Sequence, residues 1–113
     1  MLKLRVTYTR PSVDVPFFRA ETEFAGWFAL LDSYAAQGKL LSRTSSNSAQ
    51  NSADNPLEFT VLTTWRSVAD NEEFVNDPAT IAVKDARIAY CTEHLIKVEF
   101  ERTIIVDEFD TVA

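Results

Sequence analysis

Arg87, Tyr90 and His94 follow one another at spacings of three and four, which places them on one stripe of a helix. An arginine, a phenol and an imidazole arranged this way can clamp an anion and move a proton. His94 is the chain's one histidine, the one side chain whose ordinary pKa lies near neutrality, and it is the candidate general base. Beside this stripe run Ala82, Ala86 and Ala89, and a separate apolar line of Ile81, Ile88 and Leu95. The sequence does not decide which line meets the rest of the protein. If the alanines do, Tyr90 is partly buried, and Arg87 and His94 border a pocket. The competing reading is a solvated Arg and His flanking a structural Tyr.

Other chemistries find less support. Cys91 shares the wheel position of Ile88 and Leu95 and suits a small buried hydrophobe better than a nucleophile. Asp70, Glu72, Glu73 and Asp77 crowd one short segment. With a single histidine and a single cysteine, a transition-metal site there would need a cage made of carboxylates alone, and a solvated helix face accounts for them better. The two glycines, Gly26 and Gly38, make no phosphate loop. No metal or nucleotide cofactor is expected.

The elements that must hold these residues can be read from periodicity. From Leu2 to Thr9 apolar and polar side chains alternate, the mark of a half-buried strand. Between Phe17 and Gln37, Phe17, Ala20, Phe24, Trp27, Phe28, Leu31, Tyr34 and Ala35 recur at helical spacing, with Gly38 placed to end the helix. Residues 39–46 form a strand of low apolar content whose register cannot be read. NSAQNSADNP, 47–56, has the composition of a hairpin loop or of a lid over a ligand.

Leu57 to Arg66 alternates again and ends in Trp65. Ser67 and Asp70 resemble a capping box and predict a short helix over Val68 to Val75. Asp77 and Pro78 predict the start of a longer helix to about Glu93. Ile96 to Val106 reads as the last strand, and 107–113 as a loose tail.

The order β-α-β-β-α-β predicts an α+β, ferredoxin-like sandwich: one domain over 1–113, an antiparallel four-stranded sheet with helices on one face. The net charge of -6 would repel phosphate backbones and anionic lipid, so neither nucleic acid nor a membrane is an expected partner. The alternating N-terminus does not resemble a signal peptide, no apolar run approaches a bilayer span, and a cytoplasmic protein is expected.

The succession from Trp65 through Arg66-Ser67, an acidic turn, Phe74, Asn76-Asp77-Pro78 and a helix carrying Arg87 and Tyr90 resembles the antibiotic biosynthesis monooxygenase-like family of the dimeric α+β barrel superfamily. The resemblance extends over the whole chain in element order and is residue-specific over about 63–106. It implies a pocket between sheet and helices, and a small, aromatic or polyketide-like substrate for a cofactor-independent monooxygenase. Trp65, Tyr8, Phe74 and Trp27 would surround such a ligand.

The family's haem-degrading members carry a histidine on the second helical region and an asparagine on the first strand. This chain has no histidine between 68 and 93, and Thr7, Tyr8 and Thr9 on that strand, so haem degradation is disfavoured. A non-catalytic binding or assembly module, or an isomerase or lyase using His94, stand as alternatives. Trp65 itself has two readings, pocket wall or core plug.

A homodimer is expected through the sheet face opposite the helices. There Arg5 and Lys97 could meet Glu58, Glu99 or Glu101 of a partner. Ile104, Ile105 and Val106, apolar on both sides, would lie between a subunit and its neighbour.

Overall fold

In the computed structural model, residues 1–18, 26–45 and 56–105 are described. The alternating segments form strands β1 (Leu2–Thr9), β3 (Glu58–Trp65) and β4 (Lys97–Ile104), and the register-blind stretch forms β2 (Leu40–Ser45). They pair antiparallel in the order β2-β3-β1-β4. With helices α1 (Trp27–Ala36), α2 (Val68–Asn76) and α3 (Pro78–His94) the chain has an α+β, ferredoxin-like fold. None of these helices is long and apolar enough to cross a membrane.

Register follows from the alternation. Leu2 faces Trp65 and Ile104 across its two neighbours, Val6 faces Val61 and Phe100, and Tyr8 faces Phe59 and Val98. These residues share the helix-facing side, because a strand turns alternate side chains to opposite faces. Two expectations about this side need correction. It is not covered throughout, since Phe100 and Ile104 on edge strand β4 are 67% and 63% exposed. The helices concentrate over the other three strands. The helix expected from Phe17 is observed only from Trp27, with Phe17 and Phe18 buried outside any helix. Its positions 19–25, which include Ala20 and Phe24, lie outside the described residues, as do loop positions 47–55 and residues 106–113.

The helix ends obey local chemistry. α1 stops where Gly38 takes φ 75, and the Gly38 and Lys39 amides donate to the Ala35 and Tyr34 carbonyls, a Schellman-type closure. Ser67 Oγ accepts from the Asp70 amide at 3.1 Å. The Asp70 carboxylate, however, pairs with the Arg66 guanidinium at 2.7 and 3.0 Å. Asp77 Oδ1 caps α3 at the Ala79 amide, with Pro78 in the first turn.

At its other end α3 closes on Leu95, whose φ of 59 is left-handed, while the Ile96 amide donates to the Cys91 carbonyl at 2.9 Å. A leucine pays a steric cost there, and its side chain is 77% exposed, so little packing is lost on removal. Leu95→Gly is expected to raise stability by about 0.5–1 kcal/mol in urea unfolding. A loss of stability would show that the leucine makes a contact worth more than its backbone strain.

The interior divides into two clusters. Tyr8, Phe17, Phe18, Phe59, Tyr90, Cys91 and Ile96 form one, at the end where α3 finishes. Leu2, Leu31, Tyr34, Leu40, Trp65 and Phe74 form the other, under α1 and α2. The middle of the inner sheet face, with Leu4, Val6 and Val61, is half-buried.

Candidate functional site

The inward stripe of α3 is neither of the two apolar lines considered from sequence. Thr80, Tyr90 and Cys91 are buried and Val83, Arg87 and His94 half-buried, whereas Ala82, Ala86, Ala89, Ile81, Ile88 and Leu95 are exposed. Arg87, Tyr90 and His94 thus turn inward while Lys84, Asp85 and Glu93 face solvent, and a polar group taken from water needs a partner.

Arg87 finds two. Its Nη1 donates to Tyr8 Oη at 3.2 Å, and its guanidinium carbon lies 3.9 Å from the centre of the Trp27 ring, a stacked cation–π contact. Burial lowers the guanidinium's pKa, opposed by Tyr8, and burial raises the Tyr8 phenol, opposed by Arg87. Burial likewise pushes the Cys91 thiol up, leaving it a thiol rather than a nucleophilic thiolate.

Tyr90 is held elsewhere, donating from Oη to the Pro16 carbonyl at 2.5 Å. His94 lies against the Tyr90 ring, centroids 4.2 Å apart and planes tilted by 37°, with Nε2 4.0 Å from Glu93. The three residues of the stripe therefore diverge: Arg87 points to Tyr8 and Trp27, and Tyr90 with His94 to the end of the helix.

Trp65 is 1% exposed, with Nε1 donating to Thr63 Oγ1 at 3.0 Å and its ring 4.8 Å from Phe74 and 6.1 Å from Tyr34. Phe74 is buried against it and against Trp27 at 5.3 Å. Both lie inside the second cluster. Tyr34 Oη donates to Asp77 Oδ2 at 3.1 Å, and burial together with that carboxylate pushes its phenol up to about 12.

A cavity of about 180 Å³ opens between α1 and the inner face of β2 and β3, walled by Trp27, Phe28, Leu31, Phe59 and Val61, with Arg43 and Thr44 at its β2 side. Trp27 thus has a guanidinium on its ring and an apolar hollow beside it. Phe59 links the hollow to Tyr8 through ring stacking at 6.0 Å. Of the residues expected around a ligand, Trp27 lines the cavity, Tyr8 adjoins it through Phe59 and Arg87, and Trp65 and Phe74 stand behind.

Phe28, Phe59, Val61 and Arg43 were not singled out from sequence. Phe59 and Val61 had the right parity on β3, but nothing marked Arg43 as inward-facing. A larger hollow, about 320 Å³, lies on the other sheet face between Arg5, Thr7, Thr60 and three glutamates, Glu58, Glu99 and Glu101. Its polar walls make it a poor match for an apolar ligand. Among the described residues, no cluster of three or more His, Cys, Asp or Glu side chains could hold a metal ion.

Comparison with known proteins gives a consistent picture of the fold. No family model matches the chain, and no curated protein matches it. Solved structures do. SnoaB of Streptomyces nogalater, described as a cofactor-independent oxygenase, is 13% identical with a TM-score of 0.57, over 94% of this chain and 93% of that one. A candidate antibiotic biosynthesis monooxygenase of Deinococcus radiodurans is 14% identical with a TM-score of 0.55, over 95% and 94%. A dimeric ferredoxin-like protein from an uncultured marine organism is 13% identical with a TM-score of 0.57, over 96% and 98%. These likenesses run nearly end to end at low identity, and they establish that the chain has the ferredoxin-like α+β fold of the antibiotic biosynthesis monooxygenase-like proteins.

Proposed function

We propose that this chain is a small-molecule-binding protein, a homodimer of single-domain subunits, whose ligand is aromatic and sits in the cavity beside Trp27. The observation that carries the reading is the aromatic wall of Trp27, Phe28 and Phe59, with the Arg87–Tyr8 pair directly behind it. An apolar cavity of about 150 Å³ is enough to hold benzene, so this hollow admits a ring of modest size.

SnoaB, of the same fold, is described as a cofactor-independent oxygenase, and the matching activity here is cofactor-free oxygenation of an electron-rich hydroxyaromatic. With no cofactor the substrate itself must supply electrons to oxygen. It does so more readily as the phenolate, its hydroxyl proton released to solvent, and the Arg87 guanidinium held against the Trp27 wall adds positive charge behind that side of the cavity.

A binding module without catalysis is the second reading. It is favoured by the placement of His94 on Tyr90, away from the residues that line the cavity. The dimer contact would use the outer sheet face, where Arg5, Thr7, Thr60 and Leu62 lie among glutamates that a partner's basic residues could meet.

The test is titration with 1,5-dihydroxynaphthalene, following tryptophan emission and oxygen consumption together. Saturable quenching that disappears in Trp27→Phe is expected, with Arg87→Met weakening binding of the ionised ligand by roughly tenfold, about 1.4 kcal/mol. Quenching with no oxygen uptake would leave the binding module standing, and no saturable quenching would remove the site.

A further inference from the structure

We propose that the ring bound in this cavity carries an anionic group, a carboxylate or phenolate, and that Arg43 recognises it by giving up Asp32. This rests on the reading of the cavity as an aromatic site. Arg43 stands on the helix-facing side of β2, opposite Thr63. Its Nη2 donates to Asp32 Oδ1 of α1 at 2.7 Å, its Nη1 reaches the Phe28 carbonyl at 3.4 Å, and its guanidinium lies 5.7 Å from the Phe28 ring. The cation therefore rests against the aromatic wall, at the mouth between α1 and β2.

Its bond to Asp32 is a weak competitor. The two side chains are 37% and 67% exposed, and an ion pair so open to water contributes little. The contact with Asp32 runs through one oxygen, whereas a carboxylate on a seated ring can offer both to the guanidinium fork. A ligand held by Trp27 and Phe59 also presents its anion at high local concentration. The other hollow offers an anion less, because three glutamates line it against one arginine, Arg5.

The probes are 2-naphthoate and 2-naphthalenemethanol, matched in ring and differing in charge, titrated at pH 7 by tryptophan quenching. Naphthoate is expected to bind the wild-type protein about fivefold or more tightly than the alcohol. Arg43→Gln should weaken naphthoate about tenfold and the alcohol less than about twofold, with Arg43→Lys in between. Asp32→Asn is the sharper variant: removing the competing carboxylate should strengthen naphthoate about threefold and leave the alcohol unchanged.

Equal loss of both probes in Arg43→Gln, or an Asp32→Asn protein whose naphthoate affinity does not rise, overturns the assignment of Arg43. Binding of the alcohol alone overturns the anionic ligand while sparing the aromatic site. Binding of neither removes the aromatic site itself.

Discussion

Trp65→Ala is expected to lower the unfolding free energy by about 3 to 5 kcal/mol. The indole is the largest side chain among those essentially sealed from solvent, at 1% exposure. It meets Tyr34 and Phe74 from the helices and pairs with Leu2 and Leu40 across the sheet. Alanine would leave a void bounded by elements that cannot all collapse into it, since Tyr34 is bonded to Asp77 and Lys39 to Glu73 at 2.8 Å. Thr63, 9% exposed, would also lose the donor at its hydroxyl. Phe100→Ala is the control, because a ring 67% exposed on the same sheet face should cost under about 1 kcal/mol. Urea unfolding of the two variants decides whether Trp65 is the plug of the core. A Trp65→Ala protein close to wild-type stability, with ligand binding lost, would return the residue to the pocket.

How far such roles could be read from sequence depended on whether a periodic signal survived to the folded chain. On β1 and β3 it did: parity placed Tyr8, Phe59 and Trp65 on the helix side, and all three are buried. On β2 it did not, for a physical reason. A register shift between Leu40 and Ser42 puts Leu40 and Arg43 on the same face, whereas strict alternation from Leu40 would have sent Arg43 outward.

On α3 the spacing of Arg87, Tyr90 and His94 correctly marked one stripe. Helical period fixes only which residues share a face, and partner geometry then sends their tips apart. The rotation of α3 was also hidden from hydrophobicity, because its inward stripe contains Thr80, Arg87 and His94 while Ile81 and Ile88 remain exposed. Exposure along β4 could not be read either. Phe100 and Ile104 have core parity but sit on an edge strand beyond the helices' cover.

Arg10 shows the same limit at a single residue, and its replacement should be costly. In the sequence it merely precedes the proline that ends β1. In the structure it is 3% exposed, with Nε and Nη2 donating to the Pro56 carbonyl at 3.0 and 2.6 Å, Nη1 to the Val15 carbonyl at 3.0 Å, and the guanidinium 4.7 Å from the Phe17 ring. One side chain thus ties the end of β1 to the segment leading into β3 and to the 12–15 turn. Hydrogen bonds to a charged donor are worth more than neutral ones, and the part-buried carbonyls of Pro56 and Val15 would lose these donors. Arg10→Met keeps much of the apolar stem and removes the donors, and it should cost about 2 to 4 kcal/mol. Arg10→Lys should recover only part, because an ammonium cannot span both carbonyls as a planar fork does. Stability is read by urea unfolding, and hydrogen exchange at the Val15 and Leu57 amides should quicken in Arg10→Met before exchange in the centre of β1. If Met and Lys were both near wild type, the carbonyls at Val15 and Pro56 would have to be satisfied by water, and the strand end would owe its position to Phe17 packing alone.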